Sequence, residues 1–398
     1  MDVIYSDDCL LHDPPYEVTR GVVKPYVESP ARLESIKKFI DAHGEFRVAS
    51  PRDYTLEPVL AVHETDYIQY LATIYRDWVA DGLPPEAVTG EAFVHPNIVS
   101  KIGKDIYRKN ARLSPSARVG LYTFDMSVAY TKDTWRATYT SVQIALTAGH
   151  ELTKAIENRK QGDKVPSIYA LCRPPGHHST CNVAAGYCFI NNVAVVTRFL
   201  QTYSLQEMEA LHKPLKFNDI IGTGELNTVP VKDPKKKILI VDIDYHHGNG
   251  TQDIFWEDPS VFYISLHGCP DYPYFTGSTE EIGAGPGEGY NVNVPLNPAT
   301  TTDTVYLDNL ARVLEDKTVV SFDADIVICS MGLDTWHEDP IAGMKGLKDV
   351  ETYFKMGKLL KTAASCRGKP VLFVQEGGYT VEKLGQLAGR VLQGFLDA

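Results

Sequence analysis

Four short apolar segments of this 398-residue chain each end in side chains that can bind metal ions or transfer protons. In the most informative of them, residues 238–241 (Ile-Leu-Ile-Val) are followed by Asp242-Ile-Asp244-Tyr-His246-His-Gly-Asn249. The apolar run predicts a buried strand. Alternation along an extended backbone places Asp242, Asp244 and His246 on one side. Carboxylate and imidazole groups are good ligands for a borderline metal such as Zn²⁺, and packing a core needs no such arrangement.

A second apolar segment, residues 167–172, precedes Arg173-Pro-Pro-Gly-His177-His178. Proline restricts the backbone, so this turn fixes the positions of the two histidines. Two adjacent imidazoles suit a general base and an electrostatic partner. The alternative is an ordinary pair of surface histidines.

The third and fourth segments are residues 325–334, which end in Asp334, and residues 371–379, which end in Glu-Gly-Gly-Tyr379. Asp334 is a candidate third metal ligand. Two Asp and one His leave a coordination position open, which is typical of a catalytic zinc. The Gly-Gly hinge delivers a tyrosine hydroxyl beyond the strand end, although Tyr379 could also pack as an ordinary aromatic.

The repeated order, an apolar strand followed by polar residues, is typical of open parallel α/β sheets, which build their sites at the carboxyl ends of strands. The segments extend from residue 173 to residue 379, and a sheet that gathers them must be one unit. We therefore expect one α/β domain over residues 1–398, with a first strand at residues 1–5. Helical patterns fill the gaps at residues 134–160 and 303–314, and residues 205–233 read as a surface excursion.

Composition limits the classes of partner. The chain has 39 Lys and Arg against 51 Asp and Glu, a net charge of −12, which argues against nucleic-acid binding. The charge would attract cationic substrates, or serve only solubility. Seven cysteines without a Cys-x-x-Cys pair favour a reducing compartment. With no membrane-length apolar run and no signal peptide, we expect a cytoplasmic protein without a membrane partner.

These motifs resemble those of the zinc-dependent histone deacetylase and acetylpolyamine amidohydrolase family, which has the arginase-deacetylase fold. The matching segments are residues 173–178, 186–192, 242–252 and 376–379, with weaker matches at residues 28–33 and 62–63. The resemblance covers nearly the whole chain. It implies a central, mostly parallel eight-stranded sheet flanked by helices, and removal of acetyl groups from acetylated amines.

The resemblance also implies the roles of individual residues. The zinc ligands would be Asp244, His246 and Asp334, and the catalytic residues His177, His178 and Tyr379. Asp242 would orient His177, and Asn249 would orient His178. The substrate tunnel would have Gly186 at its floor and Tyr187 and Tyr272 as walls. Asp242 and Ser265 would hold a structural K⁺ or Na⁺.

Several features favour the acetylpolyamine amidohydrolase branch of this family, whose members form homodimers. These are Tyr187, the N-terminal loop at residues 7–30 with Glu17, and the insertion at residues 90–125. Glu17 could pair with a distal ammonium of the substrate, or be an exposed loop carboxylate. Arg118 departs from this branch, because it would repel a polyamine if it faced the entrance.

Three alternatives remain at this point. The substrate could be protein acetyl-lysine, as in histone deacetylases. The chain could be a non-catalytic binder of acetylated amines that kept the fold. A manganese ureohydrolase of the related fold is a third possibility, but it needs more carboxylates than the single three-ligand set visible here.

Overall fold

The computed structural model of the protein describes residues 1–112, 114–215 and 233–398. Most of the predicted surface excursion therefore lies outside the described residues. The first part of that segment is a short helix, Leu205–Leu211. Within the described residues, no helix is both long enough and apolar enough to cross a bilayer.

The strands alternate with helices along the chain. The strands are β1 (Asp2–Ile4), β2 (Glu17–Thr19), β3 (Val22–Lys24), β4 (Arg47–Ala49), β5 (Arg52–Asp53), β6 (Ser167–Ala170), β7 (Lys213–Pro214), β8 (Ile238–Asp242), β9 (Val261–Gly268), β10 (Asn291–Leu296), β11 (Ile326–Met331) and β12 (Val371–Gln375).

The α-helices are α1 (Pro30–Asp41), α2 (Glu57–Leu60), α3 (Thr65–Ala80), α4 (Pro96–Ile102), α5 (Lys104–Ala111), α6 (Pro115–Tyr122), α7 (Thr134–Glu157), α8 (Asn192–Thr202), α9 (Leu205–Leu211), α10 (Asn249–Ile254), α11 (Asp303–Leu314), α12 (Lys317–Phe322), α13 (Val350–Thr362) and α14 (Val381–Asp397). Two 3-10 helices cover Asp7–Leu11 and Gly285–Gly287.

Eight strands form one sheet in the order β10-β9-β8-β11-β12-β6-β1-β4. Every neighbouring pair is parallel. The predicted eight-stranded α/β sheet is confirmed, and it is wholly parallel. All residues of β8, β9, β11 and β12 are buried, as expected of a parallel sheet covered on both faces.

The helices that cover the sheet follow the predicted patterns closely. The helix expected at residues 303–314 is α11, which begins after Thr302, whose hydroxyl accepts the amide hydrogen of Val305. Such a cap satisfies one of the free amides of the first turn. The helix expected at residues 134–160 is α7, which ends at Glu157.

Two segments have more regular structure than the sequence indicated. The N-terminal segment at residues 7–30, expected as a loop, contains a 3-10 helix and the antiparallel β2–β3 hairpin. The insertion at residues 90–125 contains α4, α5 and α6.

A buried ion network joins the start of α1 to the segment after β6. The Glu28 side chain is fully buried, and its Oε1 accepts hydrogen bonds from Nη1 of Arg32 at 2.5 Å and from Nε of Arg173 at 2.8 Å. Arg173 is also fully buried and donates to the backbone carbonyls of Cys9 and His12. The network therefore holds the N-terminal segment against the turn that carries the two histidines.

We expect Glu28→Gln to lower the free energy of unfolding by about 3–5 kcal/mol, because it leaves two buried guanidinium groups without a carboxylate. Urea denaturation measures the change. The control is Asp41→Asn, which breaks an exposed pair with Lys37 and should cost less than about 0.5 kcal/mol. Equal losses of unfolding free energy in the two variants would show that the buried network stabilises the protein no more than an exposed ion pair does.

Candidate active site

Four neighbouring strands of the sheet bring the predicted site residues together. In the sheet, β8, β11, β12 and β6 are adjacent. Because all four are parallel, their carboxyl ends meet at one edge. The segments that follow them carry Asp244, Asp334, Tyr379 and the pair His177-His178.

Three of these side chains form a potential metal-binding cluster. Asp244, His246 and Asp334 are buried, and each offers one ligand atom within 4.8 Å of the others. Nδ1 of His246 lies 2.9 Å from Oδ2 of Asp334 and 3.4 Å from Oδ1 of Asp244. In the described part of the chain, this is the one cluster of three or more such groups. A dinuclear ureohydrolase centre has no counterpart there.

The backbone around the cluster orients the two carboxylates. Oδ2 of Asp244 accepts the amide hydrogen of Gly377 at 2.8 Å, and Oδ1 of Asp334 accepts that of Tyr245 at 2.8 Å. A Cβ atom at Gly332 would lie 1.8 Å from Oδ2 of Asp244, and one at Gly377 would lie 2.6 Å from the same oxygen. Glycine is therefore required at both positions for the carboxylates to converge.

Charge balance supports a cation at this cluster. Asp242, Asp244 and Asp334 are all fully buried, and buried carboxylates are costly unless they are paired or coordinate a metal. Two carboxylates and one imidazole match the ligand types of catalytic zinc sites. The residues present therefore fit the metal that the sequence predicted.

Asp242 lies behind this cluster and contacts the first of the two histidines. Its Oδ2 is 3.1 Å from Nδ1 of His177 and accepts the hydroxyl hydrogen of Tyr263 at 2.9 Å. Burial by itself would lower the pKa of His177, but the nearby Asp244 and Asp242 carboxylates outweigh it and raise the pKa to about 10. These two carboxylates therefore favour the cationic form of His177.

The second histidine has a neutral partner. Nδ1 of His178 lies 2.8 Å from the amide oxygen of Asn249. Burial and the neighbouring His177 and His246 imidazoles lower the pKa of His178 well below its ordinary value. Because an amide oxygen only accepts, Nδ1 carries the hydrogen and Nε2 is left as a base.

The tyrosine after the Gly-Gly hinge is buried beside these groups. Arg32 lies over the Tyr379 ring, with 4.6 Å between Cζ and the ring centroid. The same guanidinium donates to the carbonyls of Glu376 and Gly378, at 2.6 and 2.5 Å. Burial raises the pKa of Tyr379 well above its ordinary value, so its hydroxyl stays a hydrogen-bond donor.

A cavity of about 210 Å³ opens onto these residues. Both charged and aromatic side chains line it. The lining residues are Val18, Thr19, Arg20, Lys24, Asp125, Met126, Ser127, His178, Gly186, Tyr187, His246, Asp271, Tyr272, Tyr274, Ile341 and Tyr379. The predicted floor and walls, Gly186, Tyr187 and Tyr272, are thus in the same cavity as the candidate base and the candidate oxyanion donor.

Sequence reasoning missed Asp125, which joins a wall of the cavity to its floor. Its Oδ2 accepts the hydroxyl hydrogen of Tyr272 at 2.6 Å and the amide hydrogen of Gly186 at 3.1 Å. Oδ1 accepts the hydroxyl and amide hydrogens of Ser127. Asp125 follows no apolar strand, so the pattern that revealed the other residues gave no signal for it.

Glu17 lies behind the wall of the cavity. It is 1% exposed, and its carboxylate accepts a hydrogen bond from the Tyr187 hydroxyl at 2.8 Å and pairs with Lys24 at 3.0 Å. The alternative considered from the sequence, in which Glu17 is an exposed loop carboxylate, is therefore wrong. A contact between Glu17 and a substrate ammonium stays a prediction, since Glu17 is not among the described lining residues.

Two other predictions concern residues outside the cavity. Arg118 pairs with Asp77 at 2.9 Å and is not among the described lining residues, so the expected repulsion at the entrance has no basis there. Asp242 and Ser265 are register partners on β8 and β9, and the Ser265 hydroxyl lies 2.9 Å from Nδ1 of His267. A monovalent cation at this pair stays a prediction.

We expect Gly332→Ala to abolish metal binding, because its Cβ would displace Oδ2 of Asp244. Elemental analysis of the purified protein measures bound metal per chain. Gly44→Ala is the control, since nothing lies within 4 Å of a Cβ at that position, and it should bind as much metal as the wild type. Full metal content in Gly332→Ala would contradict the assignment of Asp244 as a ligand.

Comparison with known proteins agrees with this geometry. The histone deacetylase domain family matches residues 26–209 and 218–395. Acetylpolyamine amidohydrolase 2 of Pseudomonas aeruginosa is 34% identical over 398 residues, covering 99% of this chain and 98% of that protein. Acetylpolyamine amidohydrolase of Mycoplana ramosa is 34% identical over 396 residues, covering 99% of both chains.

A solved structure has the same fold over its full length. The crystal structure of the acetylpolyamine aminohydrolase from Burkholderia pseudomallei superposes with a TM-score of 0.78 at 29% identity, covering 99% of this chain and 98% of that one. The resemblance inferred from the strand-end motifs is confirmed. The chain therefore belongs to the histone deacetylase family and is a hydrolase of the deacetylase type.

Proposed function

We propose that this protein is a zinc-dependent amidohydrolase that removes acetyl groups from acetylpolyamines. The observation that carries the proposal is a shared cavity. His178, with a free base nitrogen, and Tyr379, with a hydroxyl donor, line the same cavity as His246 of the metal cluster. A base, a metal ligand and an oxyanion donor around one space are the requirements for attack of water on an amide.

Asp244, His246 and Asp334 would hold the zinc ion. When bound, zinc polarises an acetyl carbonyl and acidifies a water molecule. The ligand set leaves room for both, because three protein ligands do not complete the coordination of a catalytic zinc.

The two histidines have separate tasks in this proposal. Nε2 of His178 accepts the proton of the attacking water and later gives a proton to the leaving amine. Its hydrogen bond to Asn249 fixes the required tautomer. His177, held cationic by Asp242 and Asp244, acts through its charge, which favours negative charge developing nearby.

Tyr379 stabilises the transition state. Its hydroxyl donates a hydrogen bond to the acetyl oxygen as that oxygen gains negative charge, an interaction worth about 3 kcal/mol in comparable sites. The products are acetate and a free amine.

The relatives support the choice of an acetylpolyamine as substrate. The acetylpolyamine amidohydrolases match this chain over almost their whole length. A cavity of about 210 Å³ with Tyr187 and Tyr272 in its lining suits a thin aminoalkyl chain better than a branched amide. Acetyl-lysine in a protein is the second candidate substrate, since its side chain is equally thin.

We further propose that the protein acts as a homodimer in the cytoplasm. Apolar side chains in the insertion are exposed, Ile98 by 55% and Ile106 by 56%, and a second subunit would cover them. Five cysteines are buried free thiols, which fits a reducing compartment: Cys9, Cys172, Cys188, Cys329 and Cys366. A structural K⁺ or Na⁺ beside Asp242 and Ser265 belongs to the same proposal.

We expect Tyr379→Phe to lower kcat by about 10²–10³-fold for acetylputrescine and N8-acetylspermidine, because it removes the oxyanion donor. Initial rates and bound zinc are measured together, and zinc content should not change. Tyr75→Phe is the control: it removes a hydroxyl that donates to the carbonyl of Pro85, outside the cavity lining.

Three outcomes of the same assay count against the proposal. Turnover of an acetyl-lysine peptide alone would make the protein a lysine deacetylase. Zinc binding without turnover of any of these substrates would favour a non-catalytic binder. Undiminished turnover in Tyr379→Phe would remove the proposed role of the tyrosine.

A further inference from the structure

The backbone that carries Tyr379 has little intrinsic rigidity. It lies between the end of β12 at Gln375 and the start of α14 at Val381. Gly377 and Gly378 precede it, and Gly378 has a φ of 112°. Glycine gives a segment many accessible conformations. Specific contacts must therefore fix the peptide that places the tyrosine hydroxyl.

The amide of Tyr379 has a carboxylate as its partner. Its N–H donates to Oδ2 of Asp339 at 2.8 Å. Asp339 belongs to the segment between β11 and α13, and it is 6% exposed. Burial and the nearby Asp334 raise the pKa of Asp339 to about 7, and a carboxyl oxygen can accept the amide hydrogen in either protonation state.

The second oxygen of the same carboxylate reaches the wall of the cavity. Oδ1 of Asp339 accepts the amide hydrogen of Ile341 at 3.2 Å, and Ile341 lines the cavity. Asp339 itself is not among the described lining residues. One buried carboxylate therefore joins the peptide of Tyr379 to a residue that lines the cavity, and does not itself line it.

We propose that Asp339 is a positioning residue, which holds the peptide of Tyr379 so that the hydroxyl meets the oxyanion. The inference rests on the role proposed for Tyr379. A buried carboxylate is costly unless its oxygens are hydrogen-bonded, and here both are bonded to backbone amides of the segments that must keep their spacing. A displacement of about 1 Å in a catalytic group can reduce a rate by about 10²-fold.

The first test is kinetic. Asp339→Ala should lower kcat by about 10–100-fold, with KM changed less than about threefold and metal content unchanged. The kcat of Asp339→Asn should lie between those of the wild type and Asp339→Ala, because the single oxygen of the amide can replace only one of the two carboxylate oxygens as an acceptor. A loss confined to KM would overturn the proposal.

A double variant separates positioning from a general structural defect. In Tyr379→Phe there is no hydroxyl left to position, so Asp339→Ala should lower the residual turnover less than about threefold in that background. An equal factor in both backgrounds would show that Asp339 does not act through Tyr379.

Amide hydrogen exchange gives a readout that does not depend on activity. Exchange at the Tyr379 amide should be slow in the wild type and at least about tenfold faster in Asp339→Ala. Unchanged exchange would overturn the proposal even if the wild type hydrolysed none of the acetylated amines. Absence of turnover with faster exchange in the variant would instead count against the proposed function alone.

Asp303→Asn is a matched control. This carboxylate also accepts two backbone amides, those of Lys348 and Asp349, at 3.3 and 3.2 Å. It is not among the described cavity residues. Turnover and exchange at Tyr379 should both stay at the wild-type level in this variant. A kcat loss equal to that of Asp339→Ala would overturn the proposal.

Discussion

The structure depends on concentrating buried carboxylates at one edge of a parallel sheet. Asp242, Asp244, Asp334 and Glu376 follow or end three adjacent strands, and each is fully buried. Such a group is stable only with cations and donors around it. His177 and the backbone amides of the glycine-rich turns partly offset this negative charge, and the proposed metal ion would offset the rest. Gly332 after β11 and Gly377 after β12 are required because a Cβ at either position would collide with the Asp244 carboxylate.

The sequence allowed the sheet and the chemical centre to be predicted, because both depend on local patterns. Each strand was an apolar run, and its polar ending marked the site edge. Residue type marked carboxylates and an imidazole at these strand ends as candidate ligands. The choice of Asp244, His246 and Asp334 was implied by the family resemblance, and the structure brings their ligand atoms within 4.8 Å of one another. Residue type already indicated a general base and an electrostatic partner in the pair His177-His178, and the family resemblance implied which residues orient them. The structure has Asp242 beside His177 and Asn249 beside His178.

What could not be predicted depends on contacts between distant segments. Asp125 and Asp339 lie on irregular connections, and their importance comes from partners 147 and 40 residues away. Glu17 is bonded to the Tyr187 hydroxyl and to Lys24, and the sequence could not show this because it does not show which neighbour pairs with a carboxylate. Arg118 would repel a polyamine only if it faced the entrance, and the structure pairs it with Asp77 on α3. Substrate choice depends on such contacts between distant segments, which is why the sequence predicts it less well than it predicts the sheet.

The central claim is that Asp244, His246 and Asp334 bind one catalytic zinc ion. The most direct test is a crystal structure of the zinc-loaded protein with anomalous data collected at the zinc edge. The account predicts one strong anomalous peak per chain, with the two carboxylate oxygens and Nδ1 of His246 at about 2.0–2.2 Å. A peak bound to cysteine sulfur, a second peak of equal height beside the first, or no peak at this cluster would contradict it.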